Sequence, residues 1–82
     1  MPDEYLPPSK TLFLRDLPDN YNKDHLAIMF KRFAGFKEVR IVPGRNMGFA
    51  EYDDETNAIA AKEQTNGMEV GGKNIKVTFQ RQ

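Results

Sequence analysis

The chain has 82 residues, no cysteine, twelve acidic and twelve basic side chains, and a net charge of zero. That length holds one small domain, and the missing cysteines exclude a disulfide or thiolate–zinc framework. Balanced charge argues against a strong non-specific nucleic-acid binder, which is normally basic, without excluding a local basic patch.

The composition, 39% apolar and 29% charged, is that of a folded domain rather than a disordered one. No apolar run approaches the roughly 20 residues that span a bilayer, so no membrane association is expected. The opening MPDEYLPPSK lacks the basic-then-apolar pattern of a signal peptide, and an intracellular chain is expected.

Residues 1–9 contain three prolines and two acids and read as a flexible lead-in to a domain over residues 10–82. TLFLRDL (11–17) alternates at strand period and is broken by Leu17-Pro18-Asp19-Asn20. Asn22 can cap a helix, with Asp24 favoured in its first turn. Leu26, Met29, Phe30 and Phe33 recur at helical spacing, and Gly35 is the expected end of that helix. FKEVRIV (36–42) alternates again, with Val39 and Ile41 on one face and Glu38, Arg40 and Val42 on the other. Pro43-Gly44 is a turn signal. RNMGFAEY (45–52) follows as a third strand, giving a hairpin with the second. Asp53 or Asp54 can cap a second helix that runs to about Thr65 with a thin face of small residues, Ala58 and Ala61. Asn66-Gly67 closes it, Val70-Gly71-Gly72 makes a turn, and Asn74–Phe79 is a last strand.

The order β-α-β-β-α-β predicts an α+β, ferredoxin-like sandwich: a four-stranded antiparallel sheet with both helices on one face. Parity then divides the strands. Leu12, Leu14, Val39, Ile41, Ala50, Tyr52, Ile75, Val77 and Phe79 should meet Leu26, Phe30, Phe33 and Ala61 in the core. Phe13, Arg15, Arg40, Val42, Arg45, Met47, Phe49, Lys76, Thr78 and Gln80 should lie on the open face. Two aromatics on an uncovered sheet face usually mark a binding site. The plainer reading is that Phe13 and Phe49 only pack across strands. Tyr5 and Leu6 would mask them if the lead-in folded back.

LFLRDL (12–17) resembles the hexamer motif of the RNA-recognition motif family. RNMGFAEY resembles its octamer, K/R-G-F/Y-G/A-F-V-x-F/Y. Arg45, Gly48, Phe49 and Tyr52 match; Asn46, Met47 and Ala50 depart, so Met47 stands at a position usually held by a ring. The resemblance covers about residues 10–80. Within it, FAGFKEVRIVPGRN followed by MGFAEY is similar to the second recognition domain of the spliceosomal A and B-double-prime small nuclear ribonucleoprotein (snRNP) family. VGGKNIKVTF looks more like a generic recognition motif.

These resemblances imply a nuclear pre-mRNA splicing protein whose partners are single-stranded RNA, either small nuclear RNA or pre-mRNA, and other snRNP proteins. They imply a weak binder, because the first domain of that family is its RNA reader. By the motif match, Phe13 and Phe49 would stack successive bases. Arg15, Arg40, Arg45 and Lys76 would approach phosphates or stack by guanidinium. Met47 would pack on a sugar, and Thr78, Gln80 and Glu51 would bond base edges. A monomer is expected.

Two other classes of function share this pattern. The same fold could serve protein–protein contact with little RNA binding, a reading favoured by zero net charge and Met47. An acylphosphatase-like enzyme would need an anion-cradling first loop, whereas DLPDNYN (16–22) is acidic. Asp53-Asp54-Glu55 reads as a helix N-terminus, His25 has no partner, and the glycines at 67, 71 and 72 follow a helix instead of opening one. No catalytic residue, metal site or cofactor is expected.

Overall fold

The computed structural model of the chain describes residues 7–80. Most of the expected lead-in, including Tyr5 and Leu6, and the last two residues of the expected domain lie outside the described residues. Eight elements follow in order: β1 (Thr11–Arg15), α1 (Lys23–Phe30), β2 (Phe36–Val42), β3 (Met47–Tyr52), α2 (Glu55–Thr65), β4 (Glu69–Val70), β5 (Lys73–Asn74) and β6 (Lys76–Phe79). The main sheet has the order β2-β3-β1-β6, with every neighbouring pair antiparallel. It is the α+β, ferredoxin-like arrangement expected from the pattern. Ser9, placed by the sequence in the lead-in, is buried, and its hydroxyl donates to the carbonyls of Thr11 and Gln80 at 2.9 and 3.4 Å.

The core lies between the sheet and the helices. Leu12, Leu14, Val39, Ala50, Tyr52 and Val77 from the strands meet Leu26, Phe30, Ala58 and Ala61 from the helices, and Ile41 and Phe33 pack against this cluster half-buried. Asn22 caps α1 through a reciprocal pair: its Oδ1 accepts from His25 N–H, and His25 Nδ1 accepts from Asn22 N–H. Asp54 caps α2 at Asn57 N–H.

Three local features depart from the sequence pattern. Helix α1 stops at Phe30 and not at Gly35, because Tyr52 Oη donates to the Phe30 carbonyl at 2.7 Å and Phe33 N–H closes a tighter turn onto the same oxygen. A bulge at Lys37 shifts the register beyond Glu38–Glu51, so that Phe36 lies opposite Tyr52. Strict alternation would put Phe36 on the face of Glu38; the bulge moves it to Tyr52, where the rings meet edge-on at 5.9 Å. Finally, the last strand is split. Lys73–Asn74 pairs with Glu69–Val70 across Gly71-Gly72, both at positive φ, as a two-residue hairpin requires. Lys76–Phe79 alone joins the main sheet.

Gly48 explains how closely β3 sits in this sandwich. It is on the helix-facing side, opposite Leu14 and Ile41. A Cβ there would lie 2.7 Å from the Arg40 carbonyl oxygen and 3.0 Å from Leu26 Cδ1. The octamer therefore needs glycine at this position for space, with no demand on its φ.

Candidate nucleic-acid interface

Strand register arranges the helix-free face into three rows. The middle row runs Arg40–Phe49–Phe13–Thr78 across β2, β3, β1 and β6. On one side of it lie Val42 opposite Met47 and Arg15 opposite Lys76. On the other side lie Glu38 opposite Glu51 and Glu51 opposite Thr11, with Gln80 bonded to the Thr11 carbonyl at 2.9 Å. The face is thus basic and apolar along one margin, aromatic in the centre and acidic along the other.

The aromatic row is an organised platform. Phe13 and Phe49 are half-buried and stack with centroids 5.3 Å apart and planes 28° from parallel. The Arg40 guanidinium lies 5.1 Å above the Phe49 centroid, and that of Arg15 lies 5.7 Å from Phe13. Both distances fall within the range of cation–π attraction. Gly48, Ala50 and Tyr52 point to the core as parity requires, while Met47 and Phe49 point away. Burial pushes the Tyr52 phenol well above its ordinary value, so it stays protonated and holds α1 against the sheet from behind.

Seven of the nine site residues expected from the sequence are brought onto or beside this face as outward-facing groups: Phe13, Arg15, Arg40, Met47, Phe49, Lys76 and Gln80. Two stand differently. Arg45 lies in the turn 43–46 and not in β3; its N–H donates to the Val42 carbonyl at 3.3 Å and its side chain is exposed. The strand cannot start earlier because Asn46 sits at φ +53°. Its side chain is drawn instead to the first loop, where Nδ2 donates to Leu17 O and Asp19 Oδ1 at 2.8 and 2.7 Å. Thr78 has the expected parity but is 2% exposed, and its hydroxyl has no hydrogen-bond partner among the described residues. Its register partner is Phe13, and its hydroxyl is not offered to solvent.

Sequence reasoning left out Glu38. Its parity with Arg40 was the available signal, but the β2–β3 register was needed to seat it opposite Glu51. Like charges directly opposite destabilise a sheet. Lys37 relieves one of them with a 3.8 Å contact to Glu51, and Glu38 has no ion pair among the described residues.

A split-βαβ sandwich with a stacked aromatic pair on its helix-free sheet face defines the class of domain. The chain belongs to the RNA recognition motif family, which matches residues 12–76. It is 48% identical over 80 residues to the U1 small nuclear ribonucleoprotein usp102 of Schizosaccharomyces pombe, covering 96% of this chain and 32% of that protein. It is 41% identical over 75 residues to the U1 small nuclear ribonucleoprotein A of Drosophila melanogaster, covering 89% of this chain and 35% of that protein. The chain therefore spans about a third of the length of these relatives. Among solved structures, the second RRM domain of yeast poly(U)-binding protein (Pub1) superposes with a TM-score of 0.82 at 22% identity, over 88% of this chain and 94% of that one, a likeness of fold.

Proposed function

We propose that this chain is a non-catalytic module that binds single-stranded RNA through its open sheet face, within a nuclear snRNP protein of the pre-mRNA splicing machinery. Small nuclear RNA or pre-mRNA is its ligand, and snRNP proteins are its neighbours. The observation that carries the reading is the Phe13–Phe49 stack with a guanidinium beside each ring. Unpaired bases have apolar faces that leave water by stacking on such rings. Lys76 and Arg45, both exposed, supply phosphate contacts along the basic margin. The snRNP relatives support the particle assigned here.

Binding is weak. Two stacked bases contribute about 1–3 kcal/mol each, and a few exposed phosphate contacts are partly screened. Together they fall short of the roughly 12 kcal/mol of nanomolar affinity. Met47 in place of a third ring and zero net charge point the same way.

A chemical-shift titration with short mixed-sequence single-stranded RNA tests this. Perturbations should concentrate on β1 and β3, with micromolar or weaker affinity, and Phe49→Ala should weaken binding about ten-fold or more. If Phe13→Ala and Phe49→Ala leave RNA affinity unchanged but abolish capture of a protein partner, the domain is a protein-interaction module instead.

A further inference from the structure

The margin of the platform around Phe49 differs from the margin around Phe13. Arg15 is half-buried and already engaged, whereas Arg40 is exposed and its recorded interaction is with the Phe49 ring. One step along the same face from this pair, Glu38 and Glu51 sit opposite one another. Two carboxylates beside a cation–aromatic pair are unfavourable for phosphate and favourable for a ligand edge rich in N–H donors.

We infer that Phe49 and Arg40 form a slot for a single unpaired guanine, with Glu38 reading its Watson–Crick edge. This rests on the RNA-binding reading above and deepens it. A base between ring and guanidinium needs two stacking steps of about 3.4 Å, against 5.1 Å in the free domain. Arg40 must therefore rise by somewhat under 2 Å, about 6.8 Å less the present spacing. Its flexible stem and exposure allow that. A purine fills such a sandwich better than a pyrimidine because it covers more of both planes. Guanine is selected over adenine by its edge. N1–H and N2–H point the same way and match the two oxygens of one carboxylate. Adenine offers a single N–H donor group beside an acceptor, and uracil offers one N–H between two carbonyls. The basic margin, with the exposed Lys76, lies on the far side of the aromatic row and takes the phosphates. The strand then lies with backbone along that margin and base edges toward Glu38. The facing Glu38–Glu51 pair, costly to the free sheet, is relieved when guanine donates to it.

The test is fluorescence anisotropy with uridine-rich RNA oligomers that carry one central guanosine, adenosine or no purine, each at several salt concentrations. The guanosine oligomer should bind about ten-fold tighter than the adenosine one, as one bidentate edge contact allows. Glu38→Gln should close most of that gap. Arg40→Ala should weaken the guanosine oligomer about five- to ten-fold without lowering the salt slope, because stacking releases no counterion. Arg40→Lys should fail to restore it, since an ammonium is not planar. A drop of about 0.7 in the salt slope on Arg40→Ala would make Arg40 a phosphate contact and overturn the slot. Tighter binding by Arg40→Ala would make it a competitor of the base and equally overturn it. Equal affinity for guanosine and adenosine oligomers would remove the Glu38 assignment. In each of those cases Phe49→Ala still weakens binding; if it does not, the RNA-binding reading itself has failed.

Discussion

Gly48→Ala is the sharpest test of the packing that presents the platform. The added methyl would sit 2.7 Å from the Arg40 carbonyl oxygen, 3.0 Å from Leu26 Cδ1 and 3.6 Å from Ile41 Cδ1. The leucine methyl can rotate away. The carbonyl cannot, because it belongs to β2, whose register with β3 runs from Phe36 to Val42. Either β2 shifts or β3 lifts off α1. Overpacking of this kind costs about 1–3 kcal/mol. The smaller conformational freedom of alanine in the unfolded chain returns about 0.4–1 kcal/mol. The middle of these ranges leaves a net loss of about 1–2 kcal/mol. With a urea slope of about 1 kcal/mol/M for a chain this short, the midpoint should fall by about 1–2 M, and the melting temperature by several degrees. Urea unfolding followed by circular dichroism measures it. An unchanged or raised midpoint would show that Gly48 has room. It would remove the close-approach explanation of the glycine and the register that turns Phe49 outward.

Three further outcomes are expected. Ala61 is fully buried on the packed face of α2, so Ala61→Leu should overpack and cost about 1–3 kcal/mol; an unchanged unfolding midpoint would place that face in solvent. Tyr52→Phe should cost about 1 kcal/mol at pH 7 through its lost bond to the Phe30 carbonyl. The folded phenol titrates above its ordinary value of 10.0, so its contribution is whole below pH 10 and declines as the pH rises past 10, where the unfolded chain alone ionises. Urea midpoints at pH 7 and pH 11 should therefore fall further for the natural protein than for Tyr52→Phe, and parallel losses would contradict the burial. Met47→Phe places a third ring opposite Val42 beside the aromatic row and should tighten RNA binding several-fold in a calorimetric titration; weaker binding would mean that Met47 already makes the better contact.

Much of this molecule was legible from residue order, because period and parity are local properties. Alternation in TLFLR and MGFAEY set Leu12, Leu14, Ala50 and Tyr52 against Phe13 and Phe49 before any partner strand was known, and the structure keeps that division. Asn22 and Asp54 cap their helices because a side-chain oxygen reaches an N–H three residues on in any context. What local pattern could not decide were contacts between segments far apart in the chain. Helix α1 ends early because Tyr52, 22 positions beyond Phe30, claims the helix carbonyl. Arg45 leaves the face because Asn46 bonds to the first loop, 29 residues back. Thr78 has the outward parity of Lys76, yet Thr78 is buried and Lys76 exposed, a difference in tertiary environment that parity does not carry. Glu38 joins the site because the β2–β3 register sets it against Glu51, one pair along the face from Arg40 and Phe49. Parity determines which face a side chain takes, but register with a distant strand determines its neighbours there, and a binding site is made of neighbours.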